Sequence, residues 1–190
     1  MFNLITLKDT IRIDPSMFGK PLKAAAYLEL RNKYEGLVDE ELGYIISVIE
    51  LKVNPIGRII AGDGGTHHPV VFEILAFFPQ LQEVIEGEVV EVADFGTFLR
   101  IGPVDALLHV SQLMDDFISY DERQGVLLGK ESGRTISRGD VFRVRIVAVS
   151  FPRGRSSGKI GVTARQPMLG KLDWIRAEAV GEPEEEQEEE

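Results

Sequence analysis

Residues 86–111 read EGEVVEVADFGTFLRIGPVDALLHVS, and this stretch decides the fold class of the chain. Apolar and polar residues alternate in it between turn residues, which predicts three short strands in succession. Two more strands are predicted downstream. Five short strands with a break after the third are typical of a small OB-type barrel. The predicted strands are Glu88–Ala93, Phe95–Ile101, Asp105–Val110, Val141–Val149 and Lys159–Ala164.

Three further segments surround the predicted barrel. Residues 115–137 are too many for an ordinary connection, so we predict that they form an insertion. Leu169–Val180 is predicted to be a final helix, and the whole domain to cover residues 81–181. Residues 182–190 contain seven glutamates and no cation, and such a segment cannot bury apolar surface. We therefore predict a disordered acidic tail there.

The first 80 residues follow a different pattern. Between Pro21 and Gly36, apolar residues repeat every four positions, which predicts one amphipathic helix. Extended apolar stretches lie before and after it and predict strands. Residues 1–80 are therefore predicted to form a separate α+β domain. The three predicted strands are Phe2–Ile13, Leu42–Val53 and Val70–Phe78.

The composition excludes several classes of protein. The chain has no cysteine, so disulfides and thiolate metal sites are excluded. No window approaches the roughly 20 apolar residues that cross a bilayer. Charged residues interrupt Met1–Ile13, so this segment is not a signal peptide. We expect a cytoplasmic protein that does not contact a membrane.

Catalysis requires recognisable arrangements of residues, and the sequence offers none. It contains no Ser-His-Asp pattern, no nucleophile elbow and no paired catalytic carboxylates. Gly62-Asp63-Gly64-Gly65 lacks the Lys-Ser/Thr of a phosphate-binding loop and is predicted to be a tight turn. His67 and His68 would face opposite sides of a strand and cannot easily hold zinc together. We predict a non-catalytic binding protein without metal, cofactor or small-molecule substrate.

Phe98 and Arg100 are the first candidate ligand-binding residues. Because side chains alternate along a strand, Leu99 and Ile101 belong to the barrel core and Phe98 and Arg100 point outward. An aromatic ring that faces solvent beside a cation suits an unpaired base and its phosphate. This pair predicts an interface for single-stranded RNA.

Phe95 and His109 extend the candidate face. The position of Phe95 in the alternation places it in the core, but Gly96 can bulge the strand and free the ring, so both orientations stay open. On the third strand Leu108 points into the core, so its neighbour His109 points to the outer face. Its imidazole can contact RNA or can satisfy a local hydrogen bond, and both roles stay open.

A local block of positive charge supports a polyanionic ligand. Residues 134–165 hold eight cations and one anion, although the chain has a net charge of −10. The fourth strand is predicted to bury Phe142, Val144, Ile146 and Ala148 and to present Arg143 and Arg145 outward. The loop before the fifth strand, which borders the ligand groove in OB barrels, contains Arg153, Arg155 and Lys159. A solvated face would carry similar charges, but this coincidence favours nucleic acid.

The barrel sequence resembles the S-one RNA-binding repeat, named after a bacterial ribosomal protein. The matching pieces are Glu86–Val90, Asp94–Phe98, Leu107–Ser111 and Gly139–Val141. The resemblance implies that Phe95, Phe98 and His109 stack bases and contact phosphate. Ser150 stands where the repeat usually has an aspartate, and Lys159 where it usually has an arginine.

The chain as a whole is similar to the E-prime subunit family of archaeal RNA polymerase. The matching pieces are Gly57–Ile59, Gly62–Gly64, His68–Glu73, Ile85–Val89, Val110–Asp116, Arg165–Pro167 and Leu169–Trp174. This resemblance implies a truncated ribonucleoprotein-like first domain and an OB second domain. It further implies that loops around Gly57 and around Gly62, Asp63 and Gly64 dock on the polymerase core subunits.

The same resemblance implies further partners. A smaller stalk subunit, called F in archaea, would form a heterodimer with the chain, and the OB face would receive emerging RNA while catalysis belongs to the large subunits. Two other hypotheses are a stand-alone translation or ribosome-associated factor with one S-one repeat, and an RNA-processing enzyme. The first leaves residues 1–80 unexplained. The second requires a catalytic cluster that the sequence does not show.

Overall fold

A computed structural model describes residues 1–151 and 158–180 of the chain. They fall into two units, Met1–Pro79 and a second that begins at Gln80. The predicted acidic tail, residues 182–190, lies outside the described residues, as do Arg153 and Arg155.

The first unit is an antiparallel sheet with one α-helix packed on it. Its elements are β1 (Phe2–Ile13), a 3-10 turn (Pro15–Met17), α1 (Leu22–Tyr34), β2 (Val38–Asp39), β3 (Gly43–Val53), β4 (Arg58–Ile59) and β5 (Thr66–Phe77). The strands lie in the order β1-β5-β3-β2, and β4 pairs with the start of β5. The predicted α+β fold of this part of the chain is confirmed.

The helix α1 forms where the four-residue repeat predicts it. Pro21 directly precedes the first turn, where a missing N–H breaks no hydrogen bond. Gly36 follows the last turn with φ +81°, in the left-handed region that favours glycine. The helix buries Ala25, Ala26 and Leu30 against the sheet, and the two alanines allow a close approach of backbone to backbone.

Strand β5 begins earlier than the sequence predicts. The expected strand starts at Val70, whereas β5 starts at Thr66 and pairs with β1 residue by residue up to Ile13. The long partner strand is the reason, because twelve residues of β1 offer backbone groups that β5 satisfies. His67 and His68 therefore belong to β5 itself.

The second unit is a closed five-stranded barrel with additions. Its elements are β6 (Val84–Ala93), β7 (Gly96–Arg100), β8 (Asp105–His109), a 3-10 turn (Val110–Gln112), β9 (Ile118–Asp121), β10 (Val126–Gly129), β11 (Thr135–Ile136), β12 (Val141–Ser150), β13 (Lys159–Thr163), β14 (Gly170–Lys171) and α2 (Leu172–Val180). The barrel order is β13-β8-β7-β6-β12, and pairing of β12 with β13 closes it. β8 and β13 run parallel, whereas the other barrel pairs are antiparallel. The predicted OB-type barrel is confirmed.

Two details of this unit differ from the prediction. Ala148 is exposed rather than buried, because the register of β12 against β13 shifts between Ile146 and Ala148 and ends the strict alternation. The final helix begins at Leu172 rather than Leu169. Gly170 and Lys171 instead pair with β12 as β14, and Ile175 of the helix is buried.

Residues 115–137 contain a small antiparallel sheet. The order is β11-β10-β9, and it buries Leu127 and Ile136. Hydrogen bonds to Asp116 connect the start of this segment to its end. The hydroxyl and the N–H of Ser132 donate to its carboxylate at 2.7 and 3.0 Å, and the N–H of Glu131 donates at 3.0 Å. These bonds lower the pKa of Asp116 to about 2.

We expect this small sheet to loosen as the pH falls towards the pKa of Asp116. An unfolded aspartate has a pKa of about 3.9, so the lowered pKa adds stability above that value, and this stability is lost on acidification. A carboxyl NMR titration should give Asp116 a midpoint of about 2. Asp116→Asn should speed amide exchange of β10 at neutral pH but not in strong acid. An ordinary aspartate midpoint would contradict the role of these bonds.

Candidate nucleic-acid interface

The turn between β6 and β7 determines where Phe95 points. Gly96 has φ +150°, and a Cβ on it would collide with the carbonyl oxygen of Leu108 on β8. Only glycine allows this close approach of two strands. The bend leaves the Phe95 side chain exposed, at 46% of its full accessible area, while the Phe95 carbonyl accepts the N–H of Val110 at 2.9 Å. The orientation that the sequence left open is therefore outward.

Phe98 lies on the outer side of β7, as predicted. Its neighbours Thr97 and Leu99 are fully buried, whereas Phe98 is half-buried. The rings of Phe98 and Phe95 meet edge to face, with centroids 6.0 Å apart and planes at 86°. Two adjacent, accessible aromatic rings form a surface on which unpaired bases can stack.

Arg100 is also on the outer side, but its guanidinium has a partner. Its Nε donates to one carboxylate oxygen of Asp105 at 2.9 Å, and a terminal nitrogen donates to the other at 3.1 Å. This two-point bond raises the pKa of Arg100. A phosphate that reaches Arg100 must therefore compete with the carboxylate of Asp105.

His109 is exposed at the end of β8, directly across from Gly96. Its Nδ1 accepts the backbone N–H of Ser111 at 3.2 Å and lies 2.9 Å from the Ser111 hydroxyl. The imidazole therefore makes the local hydrogen bond that was one of its two open roles. Since Nδ1 is an acceptor, a neutral ring carries its proton on Nε2, which can donate to a ligand. The local bond and a contact with RNA are compatible.

Lys159 lies on β13, which pairs with β8 on the side away from β7. Gly161 of β13 lies beside Leu107 of β8, so Lys159, two residues earlier, lies on the same outer side, level with Asp105. Its side chain is exposed. The structure thus brings Phe95, Phe98, Arg100, His109 and Lys159 onto the outer side of β7, β8 and β13, which we call the aromatic face.

Carboxylates border the aromatic face along β6. Glu91 lies directly across from Phe98, and Glu88 directly across from Arg100. Both are exposed, and negative charge there opposes an approaching phosphate. A nucleic-acid backbone on this face would therefore run over β7, β8 and β13 and avoid β6.

Arg143 and Arg145 lie on the outer side of β12, in different rows from Phe98. Arg143 lies across from Glu86 at the start of β6, whereas Phe98 lies across from Glu91 near its end. Five residues along a strand separate these positions by about 16 Å.

Both arginines also have protein partners. Arg143 donates to Glu86 at 2.9 Å. Arg145 donates to the side-chain oxygen of Gln166 at 2.6 Å and to the Gln82 carbonyl at 2.9 Å. These bonds connect β12 to the segments beside it, which is a structural role.

The predicted docking residues lie in the loops between β3 and β5, which we call the tip (residues 54–65). Gly57 packs so closely on the buried His68 ring that a Cβ would overlap it. The ring is held by the Asn54 carbonyl at 2.9 Å from Nδ1 and by the Thr66 hydroxyl at 3.1 Å from Nε2. The shape of this loop is therefore tied to the sheet.

Asp63 holds the second loop of the tip. Its carboxylate accepts from Arg12 at 2.7 and 2.9 Å, from the N–H of Gly65 at 3.0 Å, and lies 2.9 Å from Nε2 of His67. Bonds from Arg12 above all hold the pKa of Asp63 well below its usual value. Gly62 has φ +88°, and Gly64 packs near Pro15. The predicted tight turn is thus the observed role of this cluster.

Three isoleucines of the tip are exposed, which the sequence did not predict. Ile56 is 79% exposed, Ile59 is 77% exposed, and Ile60 is also exposed. Large apolar side chains clustered in a loop of fixed shape are typical of a protein-binding surface. The sequence places Ile56, Ile59 and Ile60 around Gly57 and the charged Arg58, outside any periodic pattern, but it does not show that they are exposed.

Neither a metal cluster nor a spanning helix is found in the part of the chain that the structure describes. Within residues 1–151 and 158–180, no three His, Cys, Asp or Glu side chains come together so as to hold a metal ion. No helix described there is long and apolar enough to cross a membrane.

Comparison with known proteins identifies relatives of both units. Residues 8–64 match the "SHS2 domain found in N terminus of Rpb7p/Rpc25p/MJ0397", and residues 79–161 match the "S1 RNA binding domain". The chain is 39% identical over 175 residues to DNA-directed RNA polymerase subunit Rpo7 of Saccharolobus shibatae, an alignment that covers 92% of this chain and 97% of the relative. It is 25% identical over 193 residues to DNA-directed RNA polymerase III subunit RPC8 of Bos taurus, covering 96% and 95%.

A ribosomal relative aligns over a smaller part. Small ribosomal subunit protein bS1 of Leuconostoc lactis is 35% identical over 98 residues, which is 52% of this chain and 20% of the relative. The polymerase subunits align over both units, whereas an alignment of 98 residues is too short to span both of them in full.

Proposed function

Because the chain belongs to the Rpo7 family of DNA-directed RNA polymerase subunits, we propose that its aromatic face binds single-stranded RNA as the transcript emerges. The chain is a non-catalytic stalk subunit, and nucleotidyl transfer takes place on other chains of the polymerase. The observation that carries the proposal is the accessible pair Phe95 and Phe98 beside Arg100 and Lys159. Binding of a single strand requires aromatic rings that stack on bases and cations that contact phosphates, and this face has both.

The salt dependence of RNA binding tests this proposal. Each phosphate that a cation neutralises on a single strand contributes about −0.7 to the slope of log affinity against log salt, so Arg100 and Lys159 predict about −1.4. Fluorescence anisotropy with a labelled single-stranded RNA measures the slope. Arg100→Ala and Lys159→Ala should each remove about half of it.

Arg143→Ala is the matched control for that experiment. It removes the same charge from the same barrel, but at a position that pairs with Glu86 away from the aromatic face. Its slope should equal that of the wild type. A salt-independent affinity, or an equal loss in Arg143→Ala, would contradict the proposed face.

Asp105→Asn is expected to strengthen RNA binding about threefold to tenfold. The substitution keeps the size of the side chain but removes the charge that holds Arg100, so the guanidinium becomes available to phosphate. Titration of labelled RNA against both proteins in the same low-salt buffer measures the difference. The double variant Arg100→Ala, Asp105→Asn should lose the gain. An unchanged or weaker affinity of Asp105→Asn would show that Arg100 does not contact phosphate.

The first domain, residues 1–80, is proposed to dock on the core subunits of the polymerase through the tip. Its three exposed isoleucines support this role, together with the predicted residues Gly57, Gly62, Asp63 and Gly64. The second domain, residues 81–181, is proposed to be the RNA-binding domain. The subunit would act in the cytoplasm, where the polymerase and its transcript meet.

A smaller stalk subunit, the F type of archaea, is proposed as the direct heterodimer partner. The alternative function, a stand-alone ribosome-associated factor, is not favoured, because the chain matches the Rpo7 relative over 92% of its length, including residues 1–80. Purification from native extract at mild salt separates the two. Polymerase subunits in the purified fraction support the stalk role, whereas ribosomes would contradict it.

A further inference from the structure

The two rings of the aromatic face stand perpendicular to each other. The centroids of Phe95 and Phe98 are 6.0 Å apart, and the ring planes meet edge to face at 86°. Aromatic quadrupoles favour this arrangement, because the positive edge of one ring lies against the negative face of the other. A base that stacks on a ring lies parallel to it. Two bases on these two rings would therefore lie almost at right angles to each other.

The barrel holds the backbone around both rings in place. Gly96 makes the bend that follows Phe95, and a Cβ there would collide with a backbone carbonyl of β8. Phe98 is half-buried on β7 between its cross-strand neighbours Glu91 and Leu107. Backbones of preformed binding surfaces move little when a ligand arrives. The RNA strand must therefore adapt to the rings.

A stacked strand can use only one of the two rings. In a helical strand, neighbouring bases are parallel and follow one another at about 3.4 Å along the axis. If one base of such a strand lies on Phe98, the next base is parallel to it and therefore perpendicular to the Phe95 ring. It would meet that ring with its edge rather than its face. Only a strand that separates two neighbouring bases can stack on both rings.

The cations of the aromatic face are placed to hold the backbone of such a strand. Along β7, Arg100 lies two residues beyond Phe98, a distance of about 7 Å, and Phe95 lies on the other side of Phe98. Lys159 is level with Asp105, which pairs with Arg100. Both cations therefore lie at one end of the ring pair. Phosphates held there would contribute free energy that offsets the lost stacking between the two bases.

We propose that the aromatic face binds single-stranded RNA with two neighbouring bases splayed apart, one on Phe95 and one on Phe98, and that it discriminates against strands held in a helical stack. The inference rests on the proposed function and names the form of RNA that the face accepts. Unstacking a base costs free energy, so a strand whose bases are already separated binds more tightly than a stacked strand with the same bases. The subunit would thereby prevent a transcript on this face from stacking into a helix at that step.

An RNA with two adjacent 2-aminopurines tests the splayed geometry directly. The two bases give a circular-dichroism couplet only while they are stacked on each other, at wavelengths where neither the protein nor ordinary bases absorb. Saturation with the full-length chain should reduce the couplet about fivefold or more, because each base moves onto a ring. Phe95→Ala leaves one ring, so at saturation the couplet should stay within about twofold of the free RNA. Phe18→Ala removes a ring of the first unit that is 53% exposed and should behave as the wild type.

The outcomes separate this inference from the proposed function. Fluorescence anisotropy on the same samples shows how much RNA is bound. If the RNA binds and the couplet keeps its free amplitude, or if Phe95→Ala reduces it as much as the wild type does, the inference is overturned while RNA binding stands. If no RNA binds at low salt, the proposed function fails and the inference fails with it.

The order of bases in an RNA of constant composition gives an independent test. Two RNAs carry two adenosines in an otherwise abasic strand, adjacent in one and separated by one abasic nucleotide in the other. Only the first can stack its adenines on each other. The wild type should bind the separated form at least about threefold more tightly, because no stack between bases is lost. Phe95→Ala offers one ring and should bind the two equally. Equal Kd values for the wild type, or the same preference in Phe95→Ala, contradict the inference.

Discussion

Replacing Phe95 and Phe98 together with alanine is expected to weaken binding of a short single-stranded RNA by about 100-fold or more. Each accessible ring can stack one base, and a stacked base contributes about 1–3 kcal/mol. The two rings are neighbours, with centroids 6.0 Å apart, so removing one also removes the edge that orients the other. Fluorescence anisotropy at low salt should show the loss at any base sequence, because every base has a stacking surface.

The controls for this double variant separate stacking from folding. Phe18→Ala removes an equally exposed ring from the first unit and should leave RNA affinity unchanged. Phe95→Ala alone should alter the unfolding temperature little, since nearly half of its side chain is exposed, yet it should weaken RNA binding about fivefold or more. A double variant that folds normally and binds RNA within threefold of wild type would remove the aromatic face as the RNA site.

Alternation along β7 was sufficient to predict which side of the strand Phe98 occupies. The reason is physical, because a strand buries every second residue, and Thr97 and Leu99 had to take the core. The orientation of Phe95 could not be predicted in the same way. It depends on the φ of Gly96, which the close approach of β8 requires, and this contact lies outside the local sequence.

Arg143 and Arg145 show the limit of the same argument. Alternation correctly put Arg143 and Arg145 on the outer side of β12, but it contains no information on which row of the neighbouring strand they face. That depends on the register between β12 and β6, which is set by pairing between distant parts of the chain. The predicted burial of Ala148 is wrong for a related reason, because a register shift of one residue reverses which side of the strand each side chain occupies.

The ion pair between Asp105 and Arg100 was predictable from the sequence in principle but was not predicted. A short hairpin joins β7 to β8, and residues of opposite charge that close such a hairpin face each other across it, as Arg100 and Asp105 do. The exposed isoleucines of the tip were not predictable, because an isoleucine in a loop is as often covered as open. Only the folded loops around His68 and Asp63 show that they are uncovered.

Changing Ile56 and Ile59 together to serine is expected to lower affinity for the polymerase core by about 100-fold or more. Burial of one isoleucine contributes about 1.5–3 kcal/mol, and 1.4 kcal/mol corresponds to a factor of ten. Both side chains are almost fully in solvent in the isolated subunit, so the substitutions should leave its folding intact. Binding of the purified subunit to stalk-free polymerase, followed by biolayer interferometry, measures the loss.

Docking through the tip depends on the shape of its loops as well as on its exposed isoleucines, and a second variant distinguishes these two contributions. Asp63→Asn keeps all three isoleucines but weakens the bonds to Arg12, so it should lower core affinity less than the double serine variant. Leu128→Ser, an apolar-to-polar change in the second unit, should have no effect on core binding. RNA binding should be unchanged in the tip variants, because the aromatic face is in the barrel. If the double serine variant binds the core normally, docking must occur through another surface, even though the tip exposes its isoleucines in the free chain.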